Sequence, residues 1–178
     1  MLSKAADLVV GGWSLNYNLS TRTGVPITVR AIDRTGQAVR GNVRANYYRP
    51  LKIDEAARNV DNWFGLPADR TTVFCAGGVN AIDNGNCAYG QPADGQFGNA
   101  GINTERGPSF FNLDFSVGKK FFIRESNYID FRVELFNSLN TVSFAPPGAN
   151  IGTPATFGAI GSQVQNPRNI QFGLKYNF

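Results

Sequence analysis

Asn169-Ile170-Gln171-Phe172-Gly173-Leu174-Lys175-Tyr176-Asn177-Phe178, the last ten residues of the sequence, alternate without a break. Ile170, Phe172, Leu174, Tyr176 and Phe178 fall on one side; Asn169, Gln171, Gly173, Lys175 and Asn177 fall on the other. A strand has a side-chain period of two, so the segment reads as a strand with one apolar and one polar face. The fold turns on what the apolar face meets, a protein core or lipid.

Three further segments carry the same pattern. Trp13, Leu15, Tyr17 and Leu19 alternate with polar residues, as do Phe111, Leu113, Phe115 and Val117. Ile129, Phe131, Val133 and Leu135 alternate with Asp130, Arg132 and Glu134, Phe136 being the one breach. The expected strands are therefore 9–21, 109–119, 127–137 and 169–178. Each is close to the roughly 9–11 residues that a tilted strand needs to cross a bilayer, and longer than the usual globular strand of about five or six.

The connections run long, short, long. No sustained period of either kind marks 31–108, and 141–168 is rich in Pro and Gly, whereas 121–127 has the length of a hairpin turn. Outer-membrane barrels place short turns at the periplasmic end and long loops outside. A loop as long as 31–108 is uncommon inside a compact soluble domain. The expected fold is all-β: antiparallel strands of a partial outer-membrane barrel, residues 1–178, with long extracellular loops near 31–108 and 141–168.

Composition excludes several other classes. No run approaches the roughly 18 apolar residues of a membrane-spanning helix. Phe (14) far outnumbers Met (1), Gly reaches 20 and His is absent, a bias toward strands and turns. The formal net charge is +4. Signs balance within 31–108, and the only basic cluster, Lys119, Lys120 and Arg124, brackets the expected turn. A nucleic-acid surface would want a basic stripe with interleaved aromatics, so no nucleic-acid partner is expected. Residues 1–10 lack the long apolar stretch of a secretory leader; the sequence is expected to be cytoplasmic or to begin inside something larger.

A hairpin centred near Ile123 would set Asp114 opposite Arg132, Asn112 opposite Glu134, Phe115 opposite Phe131 and Leu113 opposite Val133. The charged residues Asp114, Asp130, Arg132 and Glu134 would then line a watery lumen, with apolar pairs outside. A slip of one residue would turn an Arg into lipid, at roughly 2–4 kcal/mol near the midplane.

Little in the sequence supports catalysis or a cofactor. The commonest general base and metal ligand, His, is missing. Asp114, Asp130 and Glu134 could be imagined as the paired carboxylates of a glycosidase, but they read better as wall residues beside Arg132. Cys75 and Cys87 make a poor zinc site and are expected to form a disulfide within the first long loop, in an oxidising compartment. Asp83-Asn84-Gly85-Asn86 lacks the later Glu of a calcium loop and reads as a turn.

Most of the chain, in order, resembles the C-terminal part of TonB-dependent outer-membrane transporters, particularly the Oar-like group. The stretches that carry the resemblance are Gly98-Asn99, Arg106-Gly107-Pro108-Ser109-Phe110-Phe111-Asn112-Leu113-Asp114-Phe115-Ser116 and Phe131-Arg132-Val133-Glu134-Leu135-Phe136-Asn137-Ser138-Leu139-Asn140. Phe157-Gly158-Ala159-Ile160 and 167–178 follow; upstream, Gly12-Trp13-Ser14-Leu15, Thr23-Gly24-Val25-Pro26 and Asn62-Trp63-Phe64 also fit. The resemblance implies an energised importer in which a plug sits inside a barrel of about 22 strands. About four such strands are present here, with neither plug nor TonB box, so a terminal fragment or a truncated gene product is expected. The implied partners are outer-membrane lipid, the barrel-assembly machinery, and the TonB complex only through N-terminal parts outside this sequence. Gln171, Gly173, Tyr176 and Phe178 match the family's assembly signal on the last strand. The rival expectation is a secreted β-sandwich that buries its apolar faces and grips a carbohydrate or protein, with Trp63 and Tyr47-Tyr48 as stacking candidates.

Overall fold

A computed structural model of the chain describes residues 9–36, 43–68, 70–75, 77–124 and 126–178. The expected leader-free start therefore lies mostly outside the described residues. The regular elements are strands β1 (Trp13–Arg22), β2 (Pro26–Ile27), β3 (Asn46–Tyr47), β4 (Tyr89–Gly90), β5 (Glu105–Arg106), β6 (Phe110–Phe122), β7 (Tyr128–Phe136) and β8 (Asn169–Asn177), with two short 3-10 turns. The chain divides into two compact units.

The first unit comprises Met1–Arg22, Ser109–Ser143 and Gln163–Phe178. It is an antiparallel sheet in the order β1-β6-β7-β8, so each long strand lies beside the next one along the chain. These strands run 10, 13, 9 and 9 residues, lengths suited to crossing a bilayer at a tilt. Among the described residues the barrel is not closed: β1 and β8 are open edges. A hairpin at 123–127 joins β6 to β7, with the Ile123 and Arg124 amides donating to the Asn127 carbonyl at 2.9 and 3.1 Å. Both long connections leave from the opposite end of the sheet, as the register of the paired strands requires.

Two expectations need correction. Strand β1 begins at Trp13 and not at Val9, because the chain turns at Gly12, whose φ of 72° no strand accommodates. The β6–β7 register also differs. Arg132 faces Gly118 instead of Asp114, Glu134 faces Ser116, Phe131 faces Lys119 and Val133 faces Val117. The cause is that β6 continues through Lys119 and Lys120 to Phe122, so the turn closes later than a hairpin centred on Ile123 would. The shift is an even number of residues, so every side chain keeps its expected face.

The second unit comprises Thr23–Pro108 and Phe144–Ser162. It has its own core, in which Val29, Val43, Phe64, Tyr89, Ile151 and Phe157 are fully buried. The two chain segments are sewn together on Arg30, whose amide donates to the Ala149 carbonyl at 2.8 Å and whose carbonyl accepts from the Ile151 amide at 2.9 Å. Phe157 packs against Phe64 and Phe74, ring centroids 5.4 and 6.0 Å away. Gly24 and Gly107 meet so closely that a Cβ on Gly24 would run into the Gly107 carbonyl. The segments read as loops from their lack of periodicity are therefore folded, by short strands and turns around buried aromatic side chains.

Candidate functional site

The distribution of apolar side chains defines the site. The hydrophobic core lies entirely within the second unit. The long strands, which hold the most regular apolar pattern in the chain, leave that face uncovered: Tyr17 is 77 % exposed, Phe172 73 % and Leu174 74 %. A contiguous apolar face of this extent is a surface for lipid or a partner. The sandwich expectation required these faces to form a core, and they do not.

At the hairpin end the apolar face is banded by aromatics. Phe121 pairs across the sheet with Ile129, which pairs with Tyr176. Tyr176 stacks on Phe178 at 5.9 Å. Trp13 sits opposite Lys119. Such belts of Trp and Tyr mark the boundary between hydrocarbon and water. Lys119 is the one charged side chain on this face among the described strand residues, and it is 3 % exposed. Its ammonium donates to the Val9 and Gly11 carbonyls and lies 4.9 Å from the Trp13 ring centre. The charge is thereby satisfied without turning into the apolar band.

The opposite face is polar between two aromatic ends, Phe122 with Tyr128 at the hairpin and Phe110 with Phe136 at the other. Asp130 lies between Lys120 on β6 and Lys175 on β8. The guanidinium of Arg132 reaches both strand neighbours, 3.9 Å from Asp130 and 3.6 Å from Glu134. Glu134 lies between Ser116 and Gln171. Asp114 accepts hydrogen bonds from the Asn112 amide and the Asn137 backbone, both at 2.9 Å. Asp114 thus stands apart from Arg132, while Asp130, Arg132 and Glu134 form one ladder. Sequence reasoning missed Lys120 by assigning it to the turn; continuing the alternation from Phe111 to Phe121 places it on this face. Phe136, the apparent breach, points to the polar side beside Asn137 and helps line a cavity.

On β8, Gln171 faces Glu134 and Gly173 faces Arg132, while Tyr176 and Phe178 stack on the apolar side. All four residues expected to signal assembly lie on or just beyond an edge strand whose outer hydrogen-bonding row is unpaired.

In the second unit, Cys75 and Cys87 form a disulfide with Cα atoms 4.9 Å apart. Asp83 lies beside the sulfurs, but these are bonded to each other and the trio is not a metal site. The Gly85 amide and the Arg49 guanidinium hold the Asp83 carboxyl below its usual pKa. Trp63, a stacking candidate of the sandwich expectation, is an anchor: its indole donates to the Arg106 carbonyl at 2.8 Å and Arg58 covers its ring at 4.1 Å. Tyr47 leans on Tyr89 at 5.7 Å. Burial, and then the Glu105 carboxylate that accepts its hydroxyl at 2.5 Å, raise the Tyr89 pKa.

A family model described as an outer membrane beta barrel domain matches residues 1–171. No curated protein and no solved structure matches the chain.

Proposed function

The chain belongs to the outer membrane beta barrel domain family and has its place in the bacterial outer membrane, as a piece of barrel wall; from that premise we propose that it is the C-terminal wall of a TonB-dependent transporter of the Oar-like kind, serving energy-coupled uptake. The observation that carries this reading is the two-faced sheet: an exposed apolar face with an aromatic belt, backed by a charged and amide-rich polar face. The ordered succession of motifs from Gly12 to Phe178 supports the transporter group.

In lipid the open rows of β1 and β8 need partners, since backbone polar groups in hydrocarbon cannot turn to water. Further strands of the same barrel would supply them. The hairpin at 123–127 is then periplasmic and the second unit extracellular. Gln171, Gly173, Tyr176 and Phe178 form the element that the assembly machinery reads by edge pairing. Asp114, Asp130, Arg132 and Glu134 act as lumen wall, not as catalysts.

Two experiments test the proposal. Removal of Phe178 should reduce the amount assembled in the outer membrane; unchanged assembly contradicts the signal. Cells lacking the gene and cells lacking TonB should share one nutrient-dependent growth defect, with the double mutant no worse. An additive defect contradicts energy-coupled uptake.

A further inference from the structure

A cavity of about 750 Å³ opens on the polar face of the sheet, where β6, β7 and β8 meet residues 164–168 of the same unit. Its volume lies in the range of small-molecule sites, about 300–1,000 Å³. The floor is a linked set of side chains. Gln165 donates to Asn112 at 2.6 Å and accepts from Ser143 at 2.8 Å, while Asn112 donates to Asp114. Asn137 fixes one edge: with φ at 49°, its amide holds the Thr141 and Asn166 carbonyls at 2.9 and 3.0 Å. The rim differs from the floor. The side-chain amides of Asn166, Asn169 and Gln171 make no hydrogen bond to the protein among the described residues, and the rings of Phe110 and Phe136 supply apolar lining.

Each free amide offers two donors and an acceptor. One carboxylate, Asp114, and one guanidinium, Arg168, leave the lining without net charge. A strongly anionic or cationic ligand has no counterpart there. A hydroxyl both donates and accepts, as an amide does, and the C–H face of a sugar ring can lie on an aromatic ring. We propose that this cavity binds a neutral, polyhydroxylated ligand of the saccharide class, held by Asn169 and Gln171 against Phe136. The proposal rests on the barrel-wall uptake reading and names the ligand chemistry of that wall. An uncharged peptide is the competing class. It is less well matched, because the open backbone row of β8 points outward in the plane of the sheet, whereas the cavity on the polar face presents side-chain amides and aromatic rings.

The test uses the full chain dispersed in detergent, with β-sheet circular dichroism as the integrity check. Titration with neutral gluco-, manno- and xylo-oligosaccharides, followed by calorimetry, should show saturable binding to at least one series. Asn169→Ala should weaken it roughly tenfold or more, the worth of one or two net hydrogen bonds. Asn16→Ala, on the same face but outside the cavity, should leave it unchanged. No binding by an intact sheet, binding of an uncharged hexapeptide alone, or equal loss in both variants overturns the saccharide site while leaving the wall in place. A chain that forms its sheet only in plain buffer, not in detergent, contradicts the barrel reading itself.

Discussion

Arg132 lies directly opposite Gly173 across the β7–β8 ladder, and its other cross-strand neighbour is also a glycine, Gly118. With no side chain on either flank, the guanidinium can lie along its own strand between Asp130 and Glu134. The Arg132 side chain is more than half exposed, so solvent screens these contacts. Arg132→Leu should cost under about 1 kcal/mol in a urea titration of the detergent-folded chain. Gly118→Val should cost more, about 1–3 kcal/mol, because beyond turning the Ser14 Oγ aside its two branches would crowd Arg132 directly across the ladder. Equal costs would show that the gap is not a packing requirement.

Leu174 and Gln171 lie on opposite faces of one strand. Leu174→Arg should lower folding stability in lipid vesicles by roughly 2–4 kcal/mol, the cost of a lipid-facing arginine near the midplane. Gln171→Arg, on the polar face, should cost little. The check is the denaturant midpoint of each variant in the same vesicles.

The Cys75–Cys87 bridge closes a loop with a sequence separation of 12. Cys75→Ser with Cys87→Ser should destabilise the core-bearing unit by about 3 kcal/mol on the chain-entropy model. Thermal melting followed by near-ultraviolet circular dichroism should show the loss. Reductant should shift the parent in the same direction and leave the variant unmoved.

Tyr89 keeps its proton more tightly in the fold than in the unfolded chain, because it is buried and donates to Glu105. Its stabilising contribution is complete below the ordinary value of 10.0 and declines as pH rises beyond it. Melting of the second unit should therefore fall in strongly alkaline buffer. Tyr89→Phe, which cannot ionise, should show a shallower decline. Identical alkaline profiles would contradict the buried, carboxylate-bonded hydroxyl.

The two-faced strands were legible in the sequence because period two depends only on local order, and Ile170 to Phe178 display it without error. Register was less legible. Alternation constrains pairing to even shifts, and the extension of β6 through Lys119 and Lys120 depends on how the turn closes. The cavity was not legible, since Gln165 meets Asn112 across many intervening residues and Gln165 lies outside every stretch that carries the resemblance. The core of the second unit was hidden for the same reason. Val29, Val43, Phe64 and Ile151 are spaced by turns, and only tertiary contact brings them together.

The central assignment, that the apolar face of the sheet meets lipid, is tested most directly by fluorescence quenching. Trp13 and Trp63 are replaced by Phe, and one tryptophan is returned by Phe172→Trp or by Gln171→Trp. Each chain is then folded into vesicles of brominated phosphatidylcholine. The barrel-wall assignment predicts strong quenching at position 172 and weak quenching at position 171. Equal quenching at both positions, or the reverse order, would contradict it.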